Sequence, residues 1–183
     1  MSKNILVTGS GGIGGVNFVN ALKIAKREYI ISGTDFNKYY LELPNLDSKY
    51  RTPRHTDPKF LEKIKEIIDK DKIDFLHPSP HSEASVIAKE IDQINTATYL
   101  PRYDIIIRDK LQTQEILKRN DVPVAKTETV NSLDEVEPTK EKFKDEKVWV
   151  RMKSGAGGKL SLLCETVEQI QDWIRIWVNR GIA

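Results

Sequence analysis

The first hundred residues alternate short apolar runs with segments of helical periodicity, and this alternation limits the fold more than any other feature of the chain. The runs Ile5–Val7, Tyr29–Ile31 and Ile73–Leu76 are typical of buried strands. Apolar residues at helical spacing follow at 15–27, and Asp57-Pro58 marks the start of another helix. Strands that alternate with helices predict parallel pairing through right-handed crossovers. We therefore predict an α/β fold with a doubly wound parallel sheet, in which ligands bind beyond the carboxyl ends of the strands.

A glycine-rich turn follows the first predicted strand of this Rossmann-like sheet. The segment 7–15 fits both G-x-G-x-x-G and T-G-x-x-G-x-x-G. Gly9, Gly12 and Gly14 would let a pyrophosphate approach the amide groups at a helix N-terminus, and Asp35 lies near the usual separation for holding a ribose hydroxyl. Two interpretations stay open, a nucleotide-binding loop or a tight first turn that contacts no ligand.

The sequence around this turn disfavours two nucleotide-binding classes. No Lys-Ser/Thr pair follows the glycines, so the turn is not a phosphate loop of the Walker type. A short-chain dehydrogenase would need a Tyr-x-x-x-Lys pair, and none of the six tyrosines has a lysine four residues on. A Rossmann-type NAD(P)-binding protein stays as an alternative hypothesis.

The charge balance and apolar content exclude other classes of partner. The 29 basic and 27 acidic residues leave a net charge of +2, which predicts no nucleic-acid surface. No apolar run approaches the roughly 18 residues of a membrane span, so we expect no membrane partner. The single cysteine, Cys164, cannot form an internal disulfide, which favours a reducing compartment. We therefore expect a cytoplasmic protein.

A second glycine-rich segment carries more basic chemistry than the first. Residues 148–153 have a strand pattern that runs into the glycines, and residues 162–164 have the pattern of a returning strand. A strand–loop–strand of this kind suits a triphosphate, because loop amides donate hydrogen bonds while arginine and lysine offset phosphate charge. The alternative is a solvated hairpin with ordinary surface charges. The residues that we predict to contact phosphate are Arg151, Lys153, Ser154, Gly155, Gly157, Gly158 and Lys159.

The order of segments in the second half resembles the ATP-grasp family. Arg108-Asp109-Lys110 opens a helix, Asp121-Val122-Pro123-Val124 follows and runs into a strand-like pattern through Val130, and the second glycine-rich segment comes last. Carbamoyl phosphate synthase large chains and biotin carboxylases share this order, and the segment from 166 to 181 resembles a carbamoyl-phosphate-synthase-like subgroup. The resemblance implies a pre-ATP-grasp domain at 1–105 and the first, small α+β lobe of an ATP-grasp domain at 106–183.

The resemblance also implies roles for particular residues. Lys110 and Arg151 match basic residues that reach ATP phosphates, and the loop 154–159 matches the glycine-rich lid. One departure is the end of that loop, which is Gly-Gly-Lys-Leu where the family has Gly-Gly-Arg-Gly. The polar segment with Ser79, His81 and Glu83 would face the substrate side of the cleft, and the alternative is a polar loop at the edge of the sheet.

Part of the ATP-grasp pattern is absent from this sequence. The family clasps ATP and Mg²⁺ between two lobes, and the second lobe supplies the magnesium ligands. After the glycine loop the acidic residues are Glu165, Glu168 and Asp172, which do not occur in the expected pair. We therefore expect a truncated ATP-grasp domain, no metal site within this chain, and a missing C-terminal lobe or a second polypeptide as its partner.

The resemblance implies a reaction for the complete enzyme. MgATP would phosphorylate a small carboxylate or bicarbonate to an acyl phosphate, which an amine would then attack. A homo-oligomer is compatible with this scheme. A regulatory subunit that binds nucleotide without turnover is the alternative from outside the enzyme class.

Overall fold

The computed structural model describes residues 2–144, 146–153 and 160–181. The chain divides into two compact units, Met1–Ile107 and Arg108–Ala183, and each has its own sheet. Across the described ranges, no helix combines the length and the apolar character that crossing a bilayer requires.

The first unit is built on a five-stranded parallel sheet with the strand order β3-β2-β1-β4-β5. Its strands are β1 (Lys3–Thr8), β2 (Tyr29–Asp35), β3 (Ser48–Arg51), β4 (Phe75–Pro78) and β5 (Ala97–Thr98). Its helices are α1 (Ile13–Lys23), α2 (Lys59–Lys70), α3 (His81–Lys89) and α4 (Tyr103–Ile106). The order reverses between β1 and β4, which confirms the predicted doubly wound α/β sheet.

The central strand β1 is buried on both faces, as a parallel strand between helical layers must be. Leu6 packs with the apolar face of α2, including Ile64, on one side of the sheet. Ile5 and Val7 pack with Val19 of α1 on the other side. The alternation of side chains along β1 thus divides the core of the first unit into two clusters.

Helix α2 begins one residue later than the Asp-Pro signal predicts, at Lys59, with Pro58 as its N-cap. The Asp57 carboxylate accepts a hydrogen bond from the Lys59 N–H at 2.9 Å, which satisfies one of the unpaired amides of the first turn. Phe60, Ile64 and Ile67 recur along one face of the helix and are fully buried. This strongly amphipathic helix covers the sheet face that Leu6 presents.

The second unit has a smaller, antiparallel core. Its helices are α5 (Lys110–Arg119), α6 (Val136–Glu141) and α7 (Val167–Asn179), and strands β6 (Val148–Arg151) and β7 (Ser161–Cys164) pair antiparallel. Val136, Cys164 and Ile170 form its buried centre, against which Val148 and Val150 pack. Cys164 therefore serves as a small buried apolar residue.

The prediction of a strand at 124–130 is wrong. These residues are all described, and they have no regular secondary structure. A strand needs a partner for its backbone groups, and the second unit's sheet contains β6 and β7 paired with each other. The propensity of Val124 and Val130 for extended structure does not by itself create a ladder.

Candidate functional site

The carboxyl edge of the parallel sheet gathers residues from three neighbouring strands. Ser10, after β1, donates its N–H to the Thr34 carbonyl of β2 at 2.9 Å. On the other side, the Ser79 N–H donates to the Thr8 carbonyl at 3.3 Å. These bonds place the glycine turn between the ends of β2 and β4, which is the ligand-binding position of doubly wound sheets.

Protein atoms fill the space beside two glycines of this turn. Gly9 has a φ of +55°, and a Cβ there would lie 2.1 Å from the Pro80 Cγ. At Gly11 a Cβ would lie 2.4 Å from the Tyr40 Cβ. Glycine is therefore required at both positions for packing within the first unit, whether or not a ligand binds.

The other predicted residues of the turn lie at the start of α1. Gly12 is the exposed N-cap of the helix, and Gly14 lies in its first turn beside the Ser79 hydroxyl. Asp35 is 4% exposed, and its carboxylate accepts the Asn37 N–H at 2.9 Å. This bond closes the turn after β2. The ribose contact of Asp35 and the phosphate contacts of the glycines stay predictions.

Glu83 lies in the first turn of α3 and is only 6% exposed. Its Oε2 atom and the Thr8 hydroxyl are buried and make no hydrogen bond to any described residue. Burial raises the pKa of Glu83 to about 7, and the negative charge of the Asp35 carboxylate adds to this rise. The Thr8 hydroxyl lies near the carboxyl group and lowers the pKa, although it is not in hydrogen-bond geometry. The carboxyl edge of the sheet therefore holds an acid that is half-protonated near neutral pH.

The two histidines near this edge have different surroundings. His77 lies in β4 and stacks on Phe18 with ring centroids 3.6 Å apart, and burial lowers its pKa. His81 is exposed at the start of α3. The polar loop expected around Ser79, His81 and Glu83 is therefore largely the first turn of a helix. The helix begins directly after its N-cap, Pro80, so His81 and Glu83 take helical positions.

The second unit presents a mixed apolar and basic face on its sheet. The side chains of β6 alternate, so Trp149 and Arg151 point to one exposed face while Val148 and Val150 pack inward. Leu163 pairs with Trp149 across the two strands and is 50% exposed. An aromatic ring, an aliphatic side chain and a guanidinium group thus share one open surface.

Lys110 reaches the end of β6 from a distant part of the sequence. Its ammonium group donates to the Lys153 carbonyl at 3.2 Å, across 43 residues of chain. A capping box between Asp109 and Gln112 fixes the start of α5, so Lys110 is the first residue of that helix. The Met152 N–H donates to the Leu160 carbonyl at 3.1 Å and joins the two sides of the glycine loop at its base.

The structure thus brings Lys110 to the backbone of Lys153, two residues after Arg151 at the end of β6. Their contacts to phosphate stay predictions. Arg151 and Lys153 are exposed, and Lys110 is half-buried. The remaining predicted phosphate contacts lie outside the described residues; they are Ser154, Gly155, Gly157, Gly158 and Lys159.

Two of the three acids that follow the glycine loop, Glu165 and Asp172, form ion pairs. Glu165 pairs with Lys147 at 2.6 Å, and Asp172 pairs with Arg175 at 2.8 Å. In the part of the chain that the structure describes, no three His, Cys, Asp or Glu side chains converge as metal ligands. Magnesium prefers a set of carboxylate and other oxygens, and these paired, separated acids do not offer one.

Sequence reasoning assigned no role to three residues of these surfaces. Trp149 and Leu163 were not predicted as site residues, because residue type alone does not indicate which face of a strand is covered. The alternation of Val148, Trp149, Val150 and Arg151 does place Trp149 on the same face as Arg151 and could have found it. The unpaired hydroxyl of Thr8 has no sequence signal, since it depends on tertiary contacts.

The fold matches part of the fold of solved ATP-grasp ligases, the class to which the sequence resemblance pointed. The biotin carboxylase domain of a Hydrogenobacter thermophilus 2-oxoglutarate carboxylase superposes with a TM-score of 0.61 at 17% identity, over 98% of this chain. An N5-carboxyaminoimidazole ribonucleotide synthetase in its ADP complex gives 0.69 at 16% identity over 98% of this chain. The Staphylococcus aureus N5-carboxyaminoimidazole synthetase with ADP gives a TM-score of 0.67 at 16% identity over 96% of this chain.

The chain spans 40% of the length of the biotin carboxylase domain and 45% of each synthetase. At these identities the likeness shows the fold alone. No protein-family model matches the sequence, and no curated protein sequence matches it.

Proposed function

We propose that this chain is the ATP-binding part of an ATP-dependent carbon–nitrogen ligase of the carbamoyl phosphate synthase type. The observation that carries the proposal is the hydrogen bond from Lys110 to the Lys153 carbonyl, beside the exposed Arg151. This bond places a lysine from the start of α5 at the base of the glycine loop. Three cationic side chains from two distant segments suit the phosphates of a nucleotide.

The exposed sheet face supplies a place for the base of the same nucleotide. Trp149 is 59% exposed, and Leu163 lies opposite it. An aromatic ring next to an aliphatic side chain offers a stacking surface for a purine, and stacking of this kind contributes roughly 1–3 kcal/mol per base. Arg151 lies two residues after Trp149 in β6 and on the same face. The base and the phosphates of one nucleotide would therefore bind along the same strand.

The proposed reaction forms and consumes an acyl phosphate. A carboxylate or bicarbonate oxygen attacks the γ-phosphorus of ATP, and ADP leaves. An amine nitrogen then attacks the acyl carbon, phosphate leaves, and the nitrogen gives up a proton. The cationic groups at the glycine loop would offset charge on the transferring phosphoryl group.

The solved structures with this fold support the choice of ligands. The biotin carboxylase domain was crystallised with MgADP, ADP and bicarbonate, and a synthetase from Aspergillus clavatus with ATP. More than half of each of these chains has no counterpart here. We therefore propose that turnover requires a second lobe, in the same protein or in a second polypeptide, and that this lobe supplies the magnesium ligands.

Calorimetric titration of the chain with MgADP, MgATP and NADH tests the proposal. We expect both adenine nucleotides to bind and Arg151→Ala to weaken that binding at least tenfold, since charge-assisted hydrogen bonds contribute about 1.5–3 kcal/mol. Arg119→Ala removes an exposed arginine at the end of α5 and is the matched control, which should bind like the unchanged chain.

The other outcomes distinguish the alternative functions. If NADH binds with the same affinity to the unchanged chain and to Arg151→Ala, the proposal is contradicted. The nucleotide site would then be at the glycine turn after β1. Rapid ATP hydrolysis by this chain alone would contradict the requirement for a second lobe. Nucleotide binding that never leads to ligation, even with the missing lobe supplied, would favour a regulatory subunit.

A further inference from the structure

The segment that leads into α3 is seated directly on the glycine turn of the first unit. A Cβ at Gly9 would lie 2.1 Å from the Pro80 Cγ and 3.5 Å from the Glu83 Oε2. The carboxyl group of Glu83 therefore lies over the backbone of the turn, in a space that glycine leaves open. The Ser79 N–H bond to the Thr8 carbonyl fastens the same segment to β1.

The carboxyl group of Glu83 is buried in this position. Its Oε2 atom is buried and makes no hydrogen bond to any residue that the structure describes, and the Thr8 hydroxyl beside it is also unpaired. A buried carboxylate oxygen without a hydrogen-bond partner is unfavourable when charged, whereas a neutral carboxyl group is tolerated far better. The packing therefore favours the protonated form.

The charged groups around Glu83 reinforce this preference. Asp35, from β2, is buried and acts on Glu83 as a like charge. Helix α1 carries one ionisable side chain, Lys23, at its far end, where it pairs with Asp47. Among the described residues, no cation pairs with Glu83 or Asp35.

The other elements near α3 add no compensating charge. Helix α4, which packs on α3, carries Asp104, and this carboxylate pairs with Arg102. His77 of β4 is held against Phe18, and its pKa is lowered by burial. His81 is exposed on α3 itself. Arg51 of β3 lies beside Asp35 in the sheet register, but its Nε–H donates to the Phe36 carbonyl and no described ion pair joins it to either acid. Ionisation of Glu83 would therefore add a second negative charge beside Asp35 without a described ion pair to balance it.

We propose that Glu83 is a protonation-controlled latch, which holds the segment Ser79–Glu83 on the glycine turn when neutral and releases it when ionised. Burial places the pKa of Glu83 at about 7, so the change falls near neutral pH. Release would open the carboxyl edge of the sheet, where folds of this kind bind ligands. The latch belongs to the first unit and does not depend on the proposed ATP site.

Hydrogen exchange of the full chain between pH 5.5 and 8.5 tests the latch. Four amides report on it, because their hydrogen bonds join or border the latched parts; they are those of Ser10, Gly12, Ser79 and Ala84. After correction for the intrinsic rate, we expect their protection factors to fall at least tenfold between pH 6 and 8.5. The Asp47 amide, bonded to the Ile31 carbonyl away from the latch, should not change.

Glu83→Gln keeps the shape of the side chain and cannot ionise, so its protection factors should stay constant over this range. Glu62→Gln changes an exposed acid of α2 and should behave like the unchanged chain. The same loss of protection in Glu83→Gln, or no loss in the unchanged chain, would overturn the latch.

A second measurement needs no variant. The ¹³C shift of the Glu83 carboxyl carbon, assigned through its bonds to the backbone, should titrate with a midpoint near 7 and follow the loss of protection. A midpoint below 5 would overturn the latch even if Glu83→Gln failed to fold. Asp35→Asn should lower the midpoint, because it removes the neighbouring negative charge.

Discussion

The glycine turn after β1 and the base of the glycine loop after β6 both follow a strand, and their surroundings differ. At the turn, Pro80 and Tyr40 fill the space beside the glycines. At the base of the loop, Arg151 and Lys153 remain exposed. A glycine pattern alone therefore does not distinguish a packed turn from a ligand site, and the exposed side chains next to it do.

The two regions also differ in charge. Two buried acids, Asp35 and Glu83, lie at the carboxyl edge of the parallel sheet. Lys110, Arg151 and Lys153 lie at the end of β6. Asp35 would repel a phosphate group, and Glu83 would do so only when ionised, whereas the cationic side chains of the second region would attract it. This contrast supports our proposal that the nucleotide phosphates bind in the second unit, although the first carries the better-known motif.

Gly9→Ala should produce the largest change in stability. A Cβ would overlap Pro80, and alanine at a φ of +55° is strained, so we expect a loss of about 3 kcal/mol in the free energy of unfolding. Gly12→Ala is the matched control, because Gly12 is exposed with a φ of −72°, and it should cost about 1 kcal/mol or less. Urea unfolding measures both. Equal losses would contradict the packing role of Gly9.

The second prediction concerns the pH dependence of stability. The folded pKa of Glu83 is raised from 4.5 to about 7, so its neutral form is favoured in the folded state. This contribution is fully present below about pH 4.5, is lost as the pH rises through 7, and amounts to up to about 3 kcal/mol.

The difference in unfolding free energy between Glu83→Gln and the unchanged chain isolates this effect from other titrating groups. The variant should gain relative stability between pH 5 and 8. If the difference in unfolding free energy between the two proteins stays constant with pH, Glu83 has an ordinary pKa. The two regions would then not differ in the electrostatic way described above.

Much of the first unit could be predicted from the sequence, because its strands and helices are long enough to show their periodicity. Apolar runs indicated β1, β2 and β4, and the Asp57-Pro58 signal located α2. Periodicity does not indicate β3, since Ser48–Arg51 is polar. That strand forms because its backbone pairs with β2 at the edge of the sheet, and backbone pairing leaves little trace in residue type.

The sites were harder to predict, because they depend on contacts between distant segments. The sequence indicated Lys110 and Arg151 as cationic candidates, and the structure adds the bond that brings Lys110 to the end of β6. No local pattern indicates that Glu83 is buried beside Asp35, since both are acids that are usually exposed. Here the tertiary packing overrides the usual preference of the residue type.

Trp149→Ala tests whether the nucleotide base binds to the second unit. The side chain is largely exposed, so the change should alter stability little, while the affinity for MgADP should fall about tenfold if a purine stacks there. Tyr39→Ala removes an exposed aromatic ring of the first unit and is the control for non-specific stacking. Calorimetry gives both affinities. A larger loss of MgADP affinity in Tyr39→Ala than in Trp149→Ala would indicate that the base binds to the first unit.

The smallest expected effect comes from two capping boxes in the second unit. Asp109 caps α5 and Thr166 caps α7, each with a glutamine three residues on. Alanine at either position should lower the unfolding free energy by about 1 kcal/mol.

The two caps should differ in their effect on nucleotide affinity. Because Lys110 directly follows Asp109, Asp109→Ala should also weaken MgADP binding a few-fold, less than removal of the Lys110 charge by Lys110→Met. Thr166→Ala should leave the affinity unchanged, and Asp109→Asn, which keeps an N-cap acceptor, should restore most of both losses. Equal affinities in the two alanine variants would mean that the start of α5 does not position Lys110, and the proposed phosphate site would then rest on Arg151 and Lys153.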